Sequence, residues 1–253
     1  MVFKIAHICF CGNVDQAKEC LQELGYQLLF SEKIRPMEIT QEMSSKYNNH
    51  LLMSIWEYPG SISVELLEFE SYSLREGMII PILSGGTSNN SLAMKENESR
   101  ILNGHKYYKA DFLGCPAYVA DQKQMDGFGF NSFMLTSTNL DNSIHFWSLF
   151  GFDCDVQTEL YARLKFRCRL TSKYFFLYLE KCINEELAIE DIDSPGFHVV
   201  SLISNSASLE REKVRVAGVD VSALGQIVIN GNKVDVFYAR SPEGLVTEII
   251  SIC

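Results

Sequence analysis

An α+β fold of repeated β-α-β-β-β modules is predicted by three observations. Near the start, FKIAHICFCGNVDQAKECLQELGY reads as strand, turn and helix, and its strand carries His7. Near the end, FHVVSLISNSASLEREKVRVAGVD repeats that order, and its strand carries His198. Each of these units then closes on a strand holding a glutamate, Glu65 in SISVELLEF and Glu248 in GLVTEIISI. Self-similarity of this kind is the signature of a modular architecture.

The first module spans 1–70. Ala17, Cys20, Leu21 and Leu24 fall at i, i+3, i+4 and i+7, the apolar stripe of an amphipathic helix. Asn13 or Asp15 can cap its start, and Gly25 suits its end. YQLLF, HLLMSIWEY and SISVELLEFE follow as strands, rich in aliphatic and β-branched residues. Residues 71–127 read as a degenerate module or an insertion. SGGTSNNS is a loop by composition, KENESRILNGHKYYKADF is polar with scattered aromatics, and FLGCPAYVA is a short strand that Pro116 confines to an edge or an end.

The third module spans 128–183. FNSFMLTSTNLDNSIHFWSLFGFD repeats the strand, Asn-x-Asp turn and helix, with Ile144, Trp147 and Phe150 on one face and Gly151 at the end. LKFRCRL and YFFLYLEKC are its later strands, and the acidic stretch from Glu180 to Asp193 reads as an exposed connection. The last module spans 194–253. Its strands include QIVING, KVDVFYAR and GLVTEIISI, with hairpin chemistry at Asn230-Gly231 and a turn at Ser241-Pro242-Glu243-Gly244.

Composition narrows the function classes. At 253 residues, 47% hydrophobic and 21% charged, the chain is long enough to bury a sizeable core and has the balance of a soluble globular protein. A net charge of -10 argues against nucleic acid or an anionic membrane as partner. No apolar run approaches the roughly 20 residues of a membrane span, and the start lacks a signal-peptide pattern, so a cytoplasmic location is expected. The eight cysteines follow no disulfide spacing and are expected to be reduced core residues. Cys9 and Cys11 share one strand face, but no second pair completes a zinc site.

These modules resemble the vicinal oxygen chelate superfamily, which includes glyoxalases, epimerases, extradiol dioxygenases and bleomycin-resistance proteins. AHICFCGNVDQAKECLQELGY resembles the first module of the glyoxalase and epimerase members, and FYARSPEGLVTEI the family's final hairpin, with Ser241 where Asp is common. The resemblance implies two open eight-stranded half-barrels with helices outside, and a divalent ion of Ni, Co, Fe, Mn or Zn. By position it implies His7, Glu65, His198 and Glu248 as ligands, Glu65 or Glu248 as proton carrier, and Tyr238 on the substrate wall. The third module departs from the pattern, with Phe133 at the histidine position and Leu or Tyr of FFLYLE at the glutamate position. All four ligands converge only if the first and last modules share a barrel.

Each candidate has a plainer reading. A lone strand histidine is more often a core residue, and the Glu65 register competes with Glu68 and Glu70. Tyr238 reads most simply as a strand aromatic, Trp56 and Trp147 as core, and His145 as solvated; His50 and His105 are assigned nothing. The functional expectation is a metal-dependent lyase or isomerase acting on a small oxygen-chelating molecule, with a homodimer possible. The alternatives are a metal-free binding protein of the same fold and an extradiol dioxygenase.

Overall fold

The computed structural model describes residues 1–72, 78–84, 93–102, 105–112, 115–120, 129–182, 191–229 and 231–252. The first module comprises β1 (Val2–Cys11), α1 (Val14–Glu23), β2 (Gln27–Ile34), α2 (Glu38–Glu42), β3 (Leu51–Glu57) and β4 (Ser63–Phe69). Next come β5 (Ile80–Ser84), β6 (Ala93–Leu102), β7 (His105–Phe112) and β8 (Cys115–Ala120). Then follow β9 (Gly129–Ser137), α3 (Leu140–Leu149), β10 (Phe152–Gln157), β11 (Tyr161–Arg167) and β12 (Tyr174–Lys181). The chain ends with β13 (Gly196–Ser204), α4 (Ala207–Val216), β14 (Gly225–Ile229), β15 (Asn232–Arg240) and β16 (Val246–Ile252).

Two eight-stranded mixed sheets result. One has the order β14-β15-β16-β13-β1-β4-β3-β2, so the first and last modules share it. The other has the order β10-β11-β12-β9-β5-β8-β7-β6 and pairs the two middle modules. Among its described residues, segment 71–127 supplies four strands, in which β5 and β8 pair in parallel as β1 and β4 do. Its polar stretch forms the β6–β7 hairpin at the sheet edge, where one face is free to meet water. The loop expected at 84–91 lies outside the described residues except for Ser84.

Three helices begin at the predicted turns. Asn13, Asn139 and Ser206 each accept a hydrogen bond from a backbone N–H in the first turn, which satisfies an otherwise orphaned donor. Asn13 rather than Asp15 is therefore the cap of α1. These helices bury Ala17 and Leu21, Phe146 and Trp147, and Ala207 and Val214 against the sheets.

Sequence periodicity misses α2, because five residues carry too little of a 3.6 period. This helix does not sit outside with the others. The strap that carries it leaves edge strand β2 and reaches the opposite edge of the same sheet. There Met37 and Ile39 press on Gly225 of β14 so closely that an added Cβ would lie 2.6 Å from Ile39 Cδ1. Thr40 Oγ1 meets the Tyr238 hydroxyl at 3.1 Å.

The acidic connection is also not simply solvated. Glu180 lies in β12 and pairs with Arg100. Asp193 is fully buried and accepts from Ser45 N at 2.8 Å, Ser45 Oγ at 3.0 Å and Lys46 N at 2.9 Å, anchoring the far end of the strap. Residues 183–190 of the connection lie outside the described residues.

The two sheets meet through an aromatic cluster. Phe197 packs on Phe10 of its own sheet at 5.1 Å and on Phe112 and Phe130 of the other at 5.6 and 6.0 Å between ring centroids. An Ile62–Phe130 bridge runs beside it, and Tyr26 accepts from Phe130 N at 3.1 Å. Gly129 is required there: φ is +120° and a Cβ would lie 2.6 Å from Ser61 Cβ. Phe197→Ala is expected to destabilise the protein by about 3–5 kcal/mol, read as a lowered denaturant midpoint in equilibrium unfolding. A loss below ~1 kcal/mol would show that the cluster does not join the halves.

Candidate metal centre

The concave face of the β1-containing sheet encloses a cavity of about 430 Å³. His7, Cys9, Glu65, Tyr238 and Glu248 line it together with aliphatic side chains. Strand register explains the convergence. Parallel pairing puts Glu65 of β4 beside Cys9, two residues from His7 on the same strand. Antiparallel pairing puts Ser201 of β13 opposite His7, and parallel pairing puts Glu248 of β16 beside Ser201. The two carboxylates therefore approach His7 from opposite sides. Glu68 and Glu70 point outward and are exposed, which resolves the register in favour of Glu65.

His7 Nε2 lies 3.2 Å from Glu65 Oε2 and 3.4 Å from Glu248 Oε2. It is buried and makes no hydrogen bond of proper geometry to either. The carboxylates are held from behind by equivalent donors: Cys9 Sγ donates to Glu65 Oε2 at 2.8 Å, and Ser201 Oγ to Glu248 Oε2 at 2.7 Å. An imidazole nitrogen with no hydrogen bond, set between two carboxylates from separate strands, is a donor set suited to a divalent transition metal.

His198 is not part of this group. The pairs Cys9–Val199 and Phe10–Phe197 leave His198 as the extra residue of a β-bulge, and bulges re-aim side chains. Its ring is buried, Nδ1 donates to Gly196 O at 3.0 Å, and Nε2 sits 3.7 Å from Cys11 Sγ. The module repeat relates Cys9 to Ser201, not His7 to His198. The position two residues before Ser201, equivalent to His7, is Val199.

Cys9 is the residue that spacing rules set aside. Its thiol, with His7 and Glu65, forms the one group of three metal-ligating atoms within 4.8 Å of one another among the described residues. Its alternation with His7 was the available signal. Tyr238 is buried on the cavity wall. His145 is exposed, and His50 lies 3.5 Å from Glu70 at the surface. In the second half-barrel Phe133 faces Trp147 on the helix side, at 6.1 Å, so the concave position belongs to its neighbour Met134, beside Tyr178. No disulfide joins any of the seven described cysteines.

Electrostatics follow from burial and pairing. Burial disfavours a charged His7, but Glu65 and Glu248 outweigh it and push its pKa up to about 10. Burial likewise opposes ionisation of Glu65, yet the His7 imidazolium holds its carboxyl below the usual range. Burial, then the Glu65 charge, keeps Cys9 a thiol. Burial pushes His198 down and leaves it neutral.

No family sequence model and no curated protein sequence matches the chain. Solved structures do. Glyoxalase I from Zea mays superposes with a TM-score of 0.68 at 15% identity, over 98% of this chain and 92% of that one. A candidate dioxygenase from Bacillus subtilis superposes with a TM-score of 0.67 at 11% identity, over 99% and 85%. The chain has the two-half-barrel fold of the vicinal oxygen chelate superfamily. No helix among the described residues is long and apolar enough to cross a membrane.

Without metal, the folded chain holds the His7 proton to about pH 10, whereas the unfolded chain releases it near 6.5. The stabilisation from this group is complete below about pH 6.5 and is expected to fall as pH rises toward 10. A metal must displace that proton, so zinc affinity should rise about tenfold per pH unit between roughly pH 7 and 9. Competition titration against a chromophoric chelator measures this. A flat profile would remove His7 from the binding step.

Proposed function

We propose that this chain is a glyoxalase-like, metal-dependent enzyme of the lyase or isomerase type, acting on a small oxygen-chelating molecule. The observation that carries this reading is the buried His7 Nε2 between the carboxylates of Glu65 and Glu248, 3.2 and 3.4 Å away, on the wall of a cavity. His7, Glu65 and Glu248 would hold the ion, with Cys9 beside them. When bound, a divalent ion (Ni, Co, Fe, Mn or Zn) supplies Lewis acidity toward a substrate oxygen.

The chain's own groups divide the remaining work. Glu65 is the more buried carboxylate, its side chain 8% exposed against 17% for Glu248. Glu65 suits the fixed role, and Glu248 suits the transfer of a proton to and from a substrate carbon. Ser201 orients Glu248 for that step. Tyr238 and Thr40, linked through their hydroxyls, close the wall beside Glu248. Cytoplasmic location and homodimerisation belong to this proposal.

One observation favours the metal-free binding protein as a second reading: His7 already forms ion pairs with both carboxylates inside a largely aliphatic cavity. The extradiol dioxygenase reading loses support, because its site needs two histidines and His198 lies on a bulge against Cys11.

Elemental analysis of untagged protein is expected to find about one equivalent of divalent metal, lost in His7→Ala. Its absence after incubation with each ion would establish the metal-free reading instead. Glu248→Gln should keep the metal. It should slow exchange of the carbon-bound proton of acetoin in deuterated water by at least about a hundredfold, followed by proton NMR. An unchanged exchange rate would take the proton-transfer role from Glu248.

A further inference from the structure

We infer that the ligand of this cavity is an uncharged molecule with an apolar arm on each side of its oxygen pair. This rests on the site proposed above and names its substrate class. The argument begins with strand direction. β1 and β13 are antiparallel, while β4 runs with β1 and β16 runs with β13. Moving along the strands beyond Glu65 and beyond Glu248 therefore leads to opposite ends of the half-barrel.

The first direction is apolar, and the second is apolar except for Lys4, opposite Ile203 beside Ile250, and Asn232, two residues before Val234. Beyond Glu65 the wall is Leu67 and Phe69 of β4 with Met53 and Leu51 of β3 opposite them in register. Beyond Glu248 it is Ile250 and Ile252 of β16 with Val236 and Val234 of β15 opposite them. The polar cluster thus sits in the middle of the cavity with a mainly apolar lobe at either end. A ligand that brings its oxygens to His7, Glu65 and Glu248 has room for a substituent in each lobe.

Charge narrows the chemistry to a ligand without an anion at both ends. The charged residues lining the cavity outside the cluster are Lys4 and Glu57, one of each sign. No arginine is among the lining residues described, so a carboxylate, phosphate or sulfonate arm finds no bidentate partner. Lys4 can meet an anionic arm in the second lobe only; in the first, no lining residue is a cation and a buried anion is strongly disfavoured, whereas an alkyl or aryl arm is stabilised by leaving water. The volume, about 430 Å³, accommodates two such arms.

Symmetric acyloins are direct probes, because their hydroxyl and carbonyl oxygens lie between two identical arms. Acetoin, propioin, butyroin and benzoin would be titrated into the full chain by calorimetry, with and without one equivalent of zinc. Affinity is expected to rise about fourfold per added methylene from acetoin to butyroin. Benzoin is expected to bind at least about a hundredfold more tightly than its 4,4′-dicarboxylate.

Isosteric polar variants read each lobe separately: Met53→Gln and Val236→Thr should each weaken butyroin about tenfold and acetoin less. Circular dichroism and melting temperature confirm that both variants fold. A flat acyloin series, or equal binding of the dicarboxylate, overturns the inference whatever the metal content. An effect in one variant only overturns the two-lobed geometry. A rising series in protein that takes up no metal supports the substrate class and overturns the metal-dependent reading alone.

Discussion

The antiparallel pairing of β1 with β13 is the constraint on which the site depends. It joins segments almost two hundred residues apart at the centre of one sheet. Without it, the first and last modules would each keep one glutamate and neither would have a second. With it, a single imidazole lies between two carboxylates that arrive on parallel neighbours of each central strand. The same pairing sets the cavity's symmetry, because it reverses the direction in which the two module walls continue.

Burying that cluster is costly unless every charge has a partner. The chain meets the requirement with donors placed by the module repeat: Cys9 behind Glu65 and Ser201 behind Glu248. A thiol and a hydroxyl do equivalent work at equivalent positions. The histidine is where the modules diverge, since Val199 occupies the place of His7 in the last module. The site therefore inherits two-fold symmetry in its carboxylates and breaks it in its imidazole.

The middle modules make the same kind of sheet without this cluster. Their concave face holds Tyr107, Met134 and Tyr178 near an Arg100–Glu180 ion pair. What they contribute to the site half is aromatic packing. Phe112 and Phe130 wedge against Phe197, the residue next to His198 on β13, so the strand that carries Ser201 is fixed from behind. The strap with α2, anchored by Asp193 and pressed on Gly225, fixes the front.

Periodicity in the sequence determined the three longer helices, and capping chemistry narrowed the start of α1 to Asn13 or Asp15, because those depend on neighbours within a few turns. His7, Glu65 and Glu248 were legible for the same reason: each stands out as a polar residue in an apolar strand. The tertiary structure alone decided the rest. A one-residue bulge, invisible to spacing, turned His198 aside, since a shift of one position in a strand changes the face a side chain meets. Cys9 became part of the cluster only when parallel pairing brought Glu65 beside it. The edge strands of the second module and the five-residue α2 have no strong period of their own. They exist because sheet edges and the strap's partners hold them, and those contacts are made by folding rather than by local sequence.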